Sequence, residues 1–161
     1  MSIIDILRGN YVRRFHANPD LAHVGDTNGH HQASVAQIVF HLLPDSSINL
    51  IHAALHHDSA EQFVGDLPQP FKAVAPDFAE MHSSIETAYL ADIGADMSEL
   101  LTQLDVKILK LADRLAAYLH VRHVAPHILA AYGWPQDRDR LIGMAWGISA
   151  DVGAKVEAML A

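Results

Sequence analysis

The sequence predicts an all-α fold, a compact single-domain helical bundle over residues 1–161. Leu101, Leu104, Ile108, Leu111 and Leu115 recur at intervals of three and four, which draws an apolar stripe along one helix face. Pro and Gly punctuate the chain at helix-length intervals, and no segment shows the alternation of a half-buried strand. Half of the residues are apolar. That is enough for one core, because a domain of about 150 residues removes roughly 70% of its unfolded surface from water.

Taken in order, a first helix is predicted from about Gly29 to Leu43, ended by Pro44. Asp45, Ser46 and Ser47 supply N-cap oxygens for a second, running to about Val64 and closed by Gly65. Residues 65 to 76 carry Gly65, Pro68, Pro70 and Pro76 and read as a stiff, exposed loop. A third helix runs from about Pro76 to Ile93, with Pro in its first turn and Gly94 beyond its end. Asp96 and Ser98 are cap candidates for the longest, from about Met97 to Val124, which Pro126 stops. Gly133-Trp134-Pro135 marks a turn, and Asp137 to Leu160 reads as one covering helix.

Composition removes several classes of function. There is no cysteine, so disulfides, thiolate nucleophiles and Cys-type metal sites are excluded and any metal must sit on His, Asp or Glu. The formal charge of −8 argues against a nucleic-acid polymer as partner, since phosphate backbones are neutralised by Lys and Arg in bulk. A small phosphate ligand, met locally, is compatible with that charge. No apolar run approaches the roughly 20 residues of a membrane span. Met1-Ser2-Ile3-Ile4-Asp5 lacks the basic start and apolar core of a secretory signal, so a cytoplasmic location is expected.

The densest chemistry lies in His56-His57-Asp58-Ser59-Ala60-Glu61 and the following Gly65-Asp66-Leu67-Pro68-Gln69-Pro70-Phe71-Lys72. His57 and Glu61, spaced i and i+4, lie on one face of the same helix, one turn apart, with Asp58 beside His57. An imidazole and a carboxylate from one turn suit Zn, Mn, Fe or Co better than calcium. Other helices must complete such a site. His30 or His31, near the start of the first helix, is one outside candidate. Asp113 is another, because it interrupts Leu109-Lys110-Leu111-Ala112 on the rim of the apolar stripe, where a carboxylate is costly unless paired. Its plain alternatives are ion pairs with Arg114 or Lys110. His16, His23, His41, His52, His82, His120, His123 and His127 show no acidic partner in sequence and read as ordinary histidines.

His57-Asp58 with upstream His31 and downstream Asp113 resembles the signature of the HD-domain metal-dependent phosphohydrolases. Within them the chain more closely resembles the YfbR-like 5′-deoxynucleotidases and related short phage deoxynucleotide hydrolases. The likeness is carried by Ala54 to Glu61, Val64 to Lys72, Ile85-Glu86 and Ile108-Leu109-Lys110-Leu111-Ala112-Asp113-Arg114-Leu115-Ala116-Ala117-Tyr118, in order over about residues 13 to 118. The resemblance implies a divalent ion (Co, Mn, Zn, Fe or Mg) held by His31, His57, Asp58 and Asp113. It assigns Glu61 and Asp66 to the phosphate and its water, and Arg14-Phe15, with Arg13 before them, to the nucleotide. Lys72 is a phosphate-contact candidate whose alternative is a solvated loop lysine. His31 is preferred to His30 because Val35-Ala36 keeps the family's register. Phe15 stands where these nucleotidases usually carry Trp, a residue linked with excluding a ribose 2′-hydroxyl.

The resemblance thus implies a cytoplasmic enzyme of a bacterium or phage-infected cell that acts on a small deoxynucleotide and assembles as a homo-oligomer. A deoxynucleoside 5′-monophosphate is the leading substrate. A dNTP, hydrolysed to triphosphate, is the second, and a non-catalytic nucleotide- or metal-binding signalling module is a third reading.

Overall fold

A computed structural model describes residues 3–131 and 133–161, so Met1 and Ser2 of the amino-terminal expectation lie outside the described residues. The helices are α1 (Ile3–Gly9), α2 (Asn28–Leu42), α3 (Ile48–His56), α4 (Glu61–Val64), α5 (Gln69–Val74), α6 (Pro76–Asp92), α7 (Gln103–Val124), α8 (Trp134–Trp146) and α9 (Ala150–Leu160). Single 3₁₀ turns cover Ser98–Leu100 and Pro126–Ala130. Among the described residues there is no strand, only an isolated antiparallel bridge between Arg13 and Thr27. The expected all-α class is what is found.

The core forms where α7 lies against α2 and α3, with α8 and α9 paired beside it. Val35 and Val39 of α2, Leu50 of α3, Ile108, Leu111 and Leu115 of α7, and Val156 of α9 are all fully buried there. Each such Leu, Ile or Val side chain contributes roughly 1.5–3 kcal/mol through burial. The predicted stripe therefore does face a core, except at its start, where Leu104 stays 45% exposed. No helix among the described residues is long and apolar enough to cross a membrane.

Four expected boundaries are corrected. The long second helix breaks in two: α3 ends at His56, and residues 57–60 form turns in which Ser59 N–H donates to the His56 carbonyl and Glu61 N–H to that of Asp58. The stiff loop contains the short helix α5, which Pro70 can begin because its missing N–H falls in the first turn. Asp96 and Ser98 do not cap α7. Thr102 does so instead, accepting from Asp105 N–H while the Asp105 carboxylate accepts from Thr102 N–H, a reciprocal box whose N-cap oxygen alone contributes about 1 kcal/mol. The covering helix is interrupted at residues 147–149, where Ser149 caps α9 by accepting from Val152 N–H.

One irregular segment positions the site. Residues 10–14 run along the amino-terminal end of α2: Gly29 N–H donates to the Asn10 carbonyl, Asn28 N–H to that of Val12, and Arg14 N–H to that of Asp26. This approach needs a glycine, since a Cβ at position 29 would lie 2.8 Å from the Asn10 Cβ. Phe15 then takes a left-handed conformation (φ 59°), which turns the chain so that Arg14 points into the bundle.

Candidate metal centre

Three elements converge on one point. α2 brings His31 in its first turn, the turn after α3 brings His57 and Asp58, and the middle of α7 brings Asp113. His31 Nε2 lies 2.9 Å from Asp113 Oδ1 and 3.6 Å from Asp58 Oδ2. His57 Nε2 lies 3.4 Å from Asp58 Oδ1 and 3.7 Å from Asp113 Oδ1. One ligand atom each from His31, His57 and Asp113 falls within a 4.8 Å cluster, and Asp58 borders it. The His31 side chain is 1% exposed. His30, by contrast, points outward to Asp26.

The tautomer of His57 is set locally. Its Nδ1 donates to the Ala54 carbonyl at 2.9 Å, so in the neutral ring the lone pair sits on Nε2, which is buried and has no hydrogen-bond partner. A buried, unpartnered nitrogen facing two carboxylates fits a cation. The charges agree. Burial alone would lower the His57 pKa, yet the Asp58 and Asp113 carboxylates outweigh it and raise it to about 9. Burial would likewise raise Asp113, but the His31 and His57 imidazoles hold it far below the usual carboxylate range. The cluster thus carries an excess of negative charge that a proton or a divalent ion can relieve.

Glu61 does not share a helix face with His57, because the turn at 57–60 redirects it. Its Oε2 accepts from the Asn28 amide at 2.8 Å, and the same amide donates to the Asp58 carbonyl at 3.1 Å. Burial, followed by the negative charges of Asp58 and Asp66, raises the Glu61 pKa to about 8. Asp66 follows Gly65 (φ 83°) and faces His16 at 3.8 Å.

Arg14 is the cation that reaches the cluster. Its Nη1 donates to Asp58 Oδ2 at 2.7 Å, and its Nε lies 3.5 Å from Asp26 Oδ2. Its guanidinium carbon lies 5.7 Å from the centroid of Phe15, which stacks on His120. Arg13 is exposed and contributes backbone pairing to Thr27, while Lys72 on α5 makes no ion pair among the described residues.

Sequence reasoning missed Asn28, Asp26 and His120. Asn28 has no distinguishing spacing, although its place at the first residue of α2 allows its side chain to cross to Glu61. Asp26 did carry a signal, its i and i+4 spacing from His30, which was already a candidate. His120, read as an ordinary histidine, meets Asp26 from a position distant in sequence, at 4.0 Å, and has no local signature.

The model of the YfbR-like 5′-deoxynucleotidases matches residues 23–123, from just before α2 to the last turn of α7. That interval includes His31, His57, Asp58, Glu61, Asp66 and Asp113, and leaves Arg14-Phe15 outside. No curated protein and no solved structure matches the chain. Proteins of this kind are HD-type, metal-dependent nucleotide phosphohydrolases. With more than half of its length matched, and with His and Asp side chains gathered in a group that could hold a metal ion, the chain belongs to the YfbR-like 5′-deoxynucleotidase family.

Proposed function

We propose that the whole chain is a single HD phosphohydrolase domain that releases phosphate from deoxynucleoside 5′-monophosphates. The observation that carries this reading is the unpartnered His57 Nε2 between two carboxylates, with a proton-holding Glu61 close by. His31, His57, Asp58 and Asp113 would hold the divalent ion. Once bound, it would lower the pKa of a water molecule and polarise a phosphoryl oxygen.

The remaining work falls to side chains. Arg14, whose Nη1 reaches the edge of the cluster at Asp58, would take the phosphate in bidentate fashion once Asp58 turns to the ion. Glu61, held by Asn28 through Oε2, keeps Oε1 available to carry a proton, and Asp66 orients water from the other side. Water attacks phosphorus, the P–O5′ bond breaks, and the departing 5′-oxygen takes a proton, which yields nucleoside and phosphate. Phe15 forms an apolar wall for the nucleoside. Monophosphate is favoured because Arg14 meets the cluster directly, while Arg13 and Lys110 are exposed and Lys72 makes no ion pair among the described residues. A triphosphate needs more positive partners.

The exposed apolar side chains Phe63, Phe71, Val74, Phe78, Met81 and Ile85, on and around α5 and α6, support a homo-oligomer. We place the enzyme in the cytoplasm of a bacterium or phage-infected cell.

The test is product release from dNMPs and dNTPs with Co, Mn or Mg, beside an Asp58→Ala control. Phosphate from a dNMP, lost in the control, is expected. Triphosphate as the inorganic product would replace the monophosphate substrate by a dNTP. No release from any nucleotide would leave a non-catalytic binding module.

A further inference from the structure

A second group of metal-competent side chains lies on the other side of Arg14. Asp26, just before α2, His30 in the first turn of α2, and His120 near the end of α7 each place one ligand atom within 4.8 Å of the others. We propose that these three residues form a second divalent-metal site, separate from the His31, His57, Asp58 and Asp113 cluster. The inference does not rest on the proposed substrate.

The geometry divides Asp26 between two tasks. Its side chain is 1% exposed, so its charge must be met by named partners. Oδ2 faces Arg14 Nε at 3.5 Å. Oδ1 accepts from Thr27 N–H at 3.0 Å and faces His30 Nδ1 at 2.8 Å and His120 Nδ1 at 4.0 Å. A carboxylate oxygen with one backbone donor still has a lone pair for an ion. Two imidazoles, with ring centroids 5.7 Å apart and planes inclined at 64°, approach that oxygen from different helices.

His120 is half-buried beside Phe15. It stacks under Phe15 at 6.0 Å with an interplanar angle of 11°, and its Nε2 is buried without a hydrogen-bond partner. His30 is 63% exposed, which gives an ion entry from solvent and leaves coordination positions to water. Two imidazoles and one carboxylate, with positions open, suit Zn, Co, Ni or Mn and not calcium. The ordinary alternative is a hydrogen-bonded Asp26–His30 pair with His120 as a bystander, and metal counting separates the two.

Equilibrium dialysis of the full-length chain against Zn²⁺ should give two tightly held ions per chain. His30→Ala removes an exposed side chain, so the fold is retained, and it should leave one tight ion with the other weakened at least about tenfold, as loss of even an outer-sphere partner costs about that much. His57→Ala should also leave one, His30→Ala with His57→Ala none, and the exposed-histidine control His23→Ala two. Two tight ions in His30→Ala, or a single wild-type ion that disappears in His57→Ala, would overturn the second site. A wild-type ion that survives His57→Ala but not His30→Ala would uphold it and instead overturn the ligand set of the proposed enzyme.

Discussion

Asp113→Asn is expected to lose its divalent ion and to fall more than about a hundredfold in phosphate release, since a ligand matters more than the outer-sphere partners whose loss costs about 10- to 100-fold. The amide keeps the shape and one acceptor oxygen but removes the charge. A second readout needs no metal. In the metal-free protein the His57 pKa stands at about 9, above its ordinary 6.5, with Asp58 and Asp113 overcoming the effect of burial. A raised imidazole pKa stabilises the fold fully below 6.5 and loses that stability as pH climbs through about 9. Asp113→Asn removes one of the two carboxylates, so this alkaline decline should become shallower and the imidazole should titrate lower by NMR. An unchanged His57 titration would show that Asp113 does not face it in solution.

Glu61→Gln is expected to separate activity from stability. Phosphate release should drop roughly 10²- to 10⁴-fold, the usual worth of a positioned acid or base. The metal-free fold should become more stable. Glu61 is 6% exposed and its pKa is raised from 4.5 to about 8 by burial and by the charges of Asp58 and Asp66. A carboxyl with a raised pKa binds its proton more tightly in the folded state, so it costs stability progressively as pH rises from 4.5 to about 8. Gln accepts the same Asn28 hydrogen bond and does not ionise. Its advantage should be about 1–3 kcal/mol at pH 8 and small at pH 5, with each kcal/mol worth about 2–4 °C in a chain of this length. Thermal melts in a chelator at the two pH values check this, and a gain that fails to grow with pH would contradict it.

Much of the bundle is written locally. Leu111 and Leu115 mark the buried face of α7 because helix period and burial coincide there, and Pro76 and Gly94 bracket α6 because each acts within one turn. The failures arise where a nearer competitor or a distant partner decides. Thr102 outcompetes Asp96 and Ser98 because Asp105 stands three residues beyond it to complete the box. The break after His56 was hidden because an i and i+4 pair looks the same in sequence whether or not the helix between continues. Ser149 after Gly147 was a readable stop and start that the apolar run on both sides obscured. In the site, His57 and Asp58 are adjacent and therefore legible. The Asn28 bridge to Glu61 and the meeting of His120 with Asp26 depend on how α2 packs against the 57–60 turn and α7, which residue spacing does not encode.

Arg14, shared between Asp58 and Asp26, makes the pocket a competition of two anions for one guanidinium. An ion that draws on Asp58 weakens the hold of that carboxylate on Arg14, and so frees the arginine for an incoming phosphate. Thermodynamic reciprocity then requires that a phosphate which engages Arg14 tighten the ion by the same factor. Ion and nucleotide should therefore bind with positive coupling, seen as a lower apparent Kd for Co²⁺ in the presence of a deoxynucleoside monophosphate. Equal Kd values with and without nucleotide would show that Arg14 is not the link.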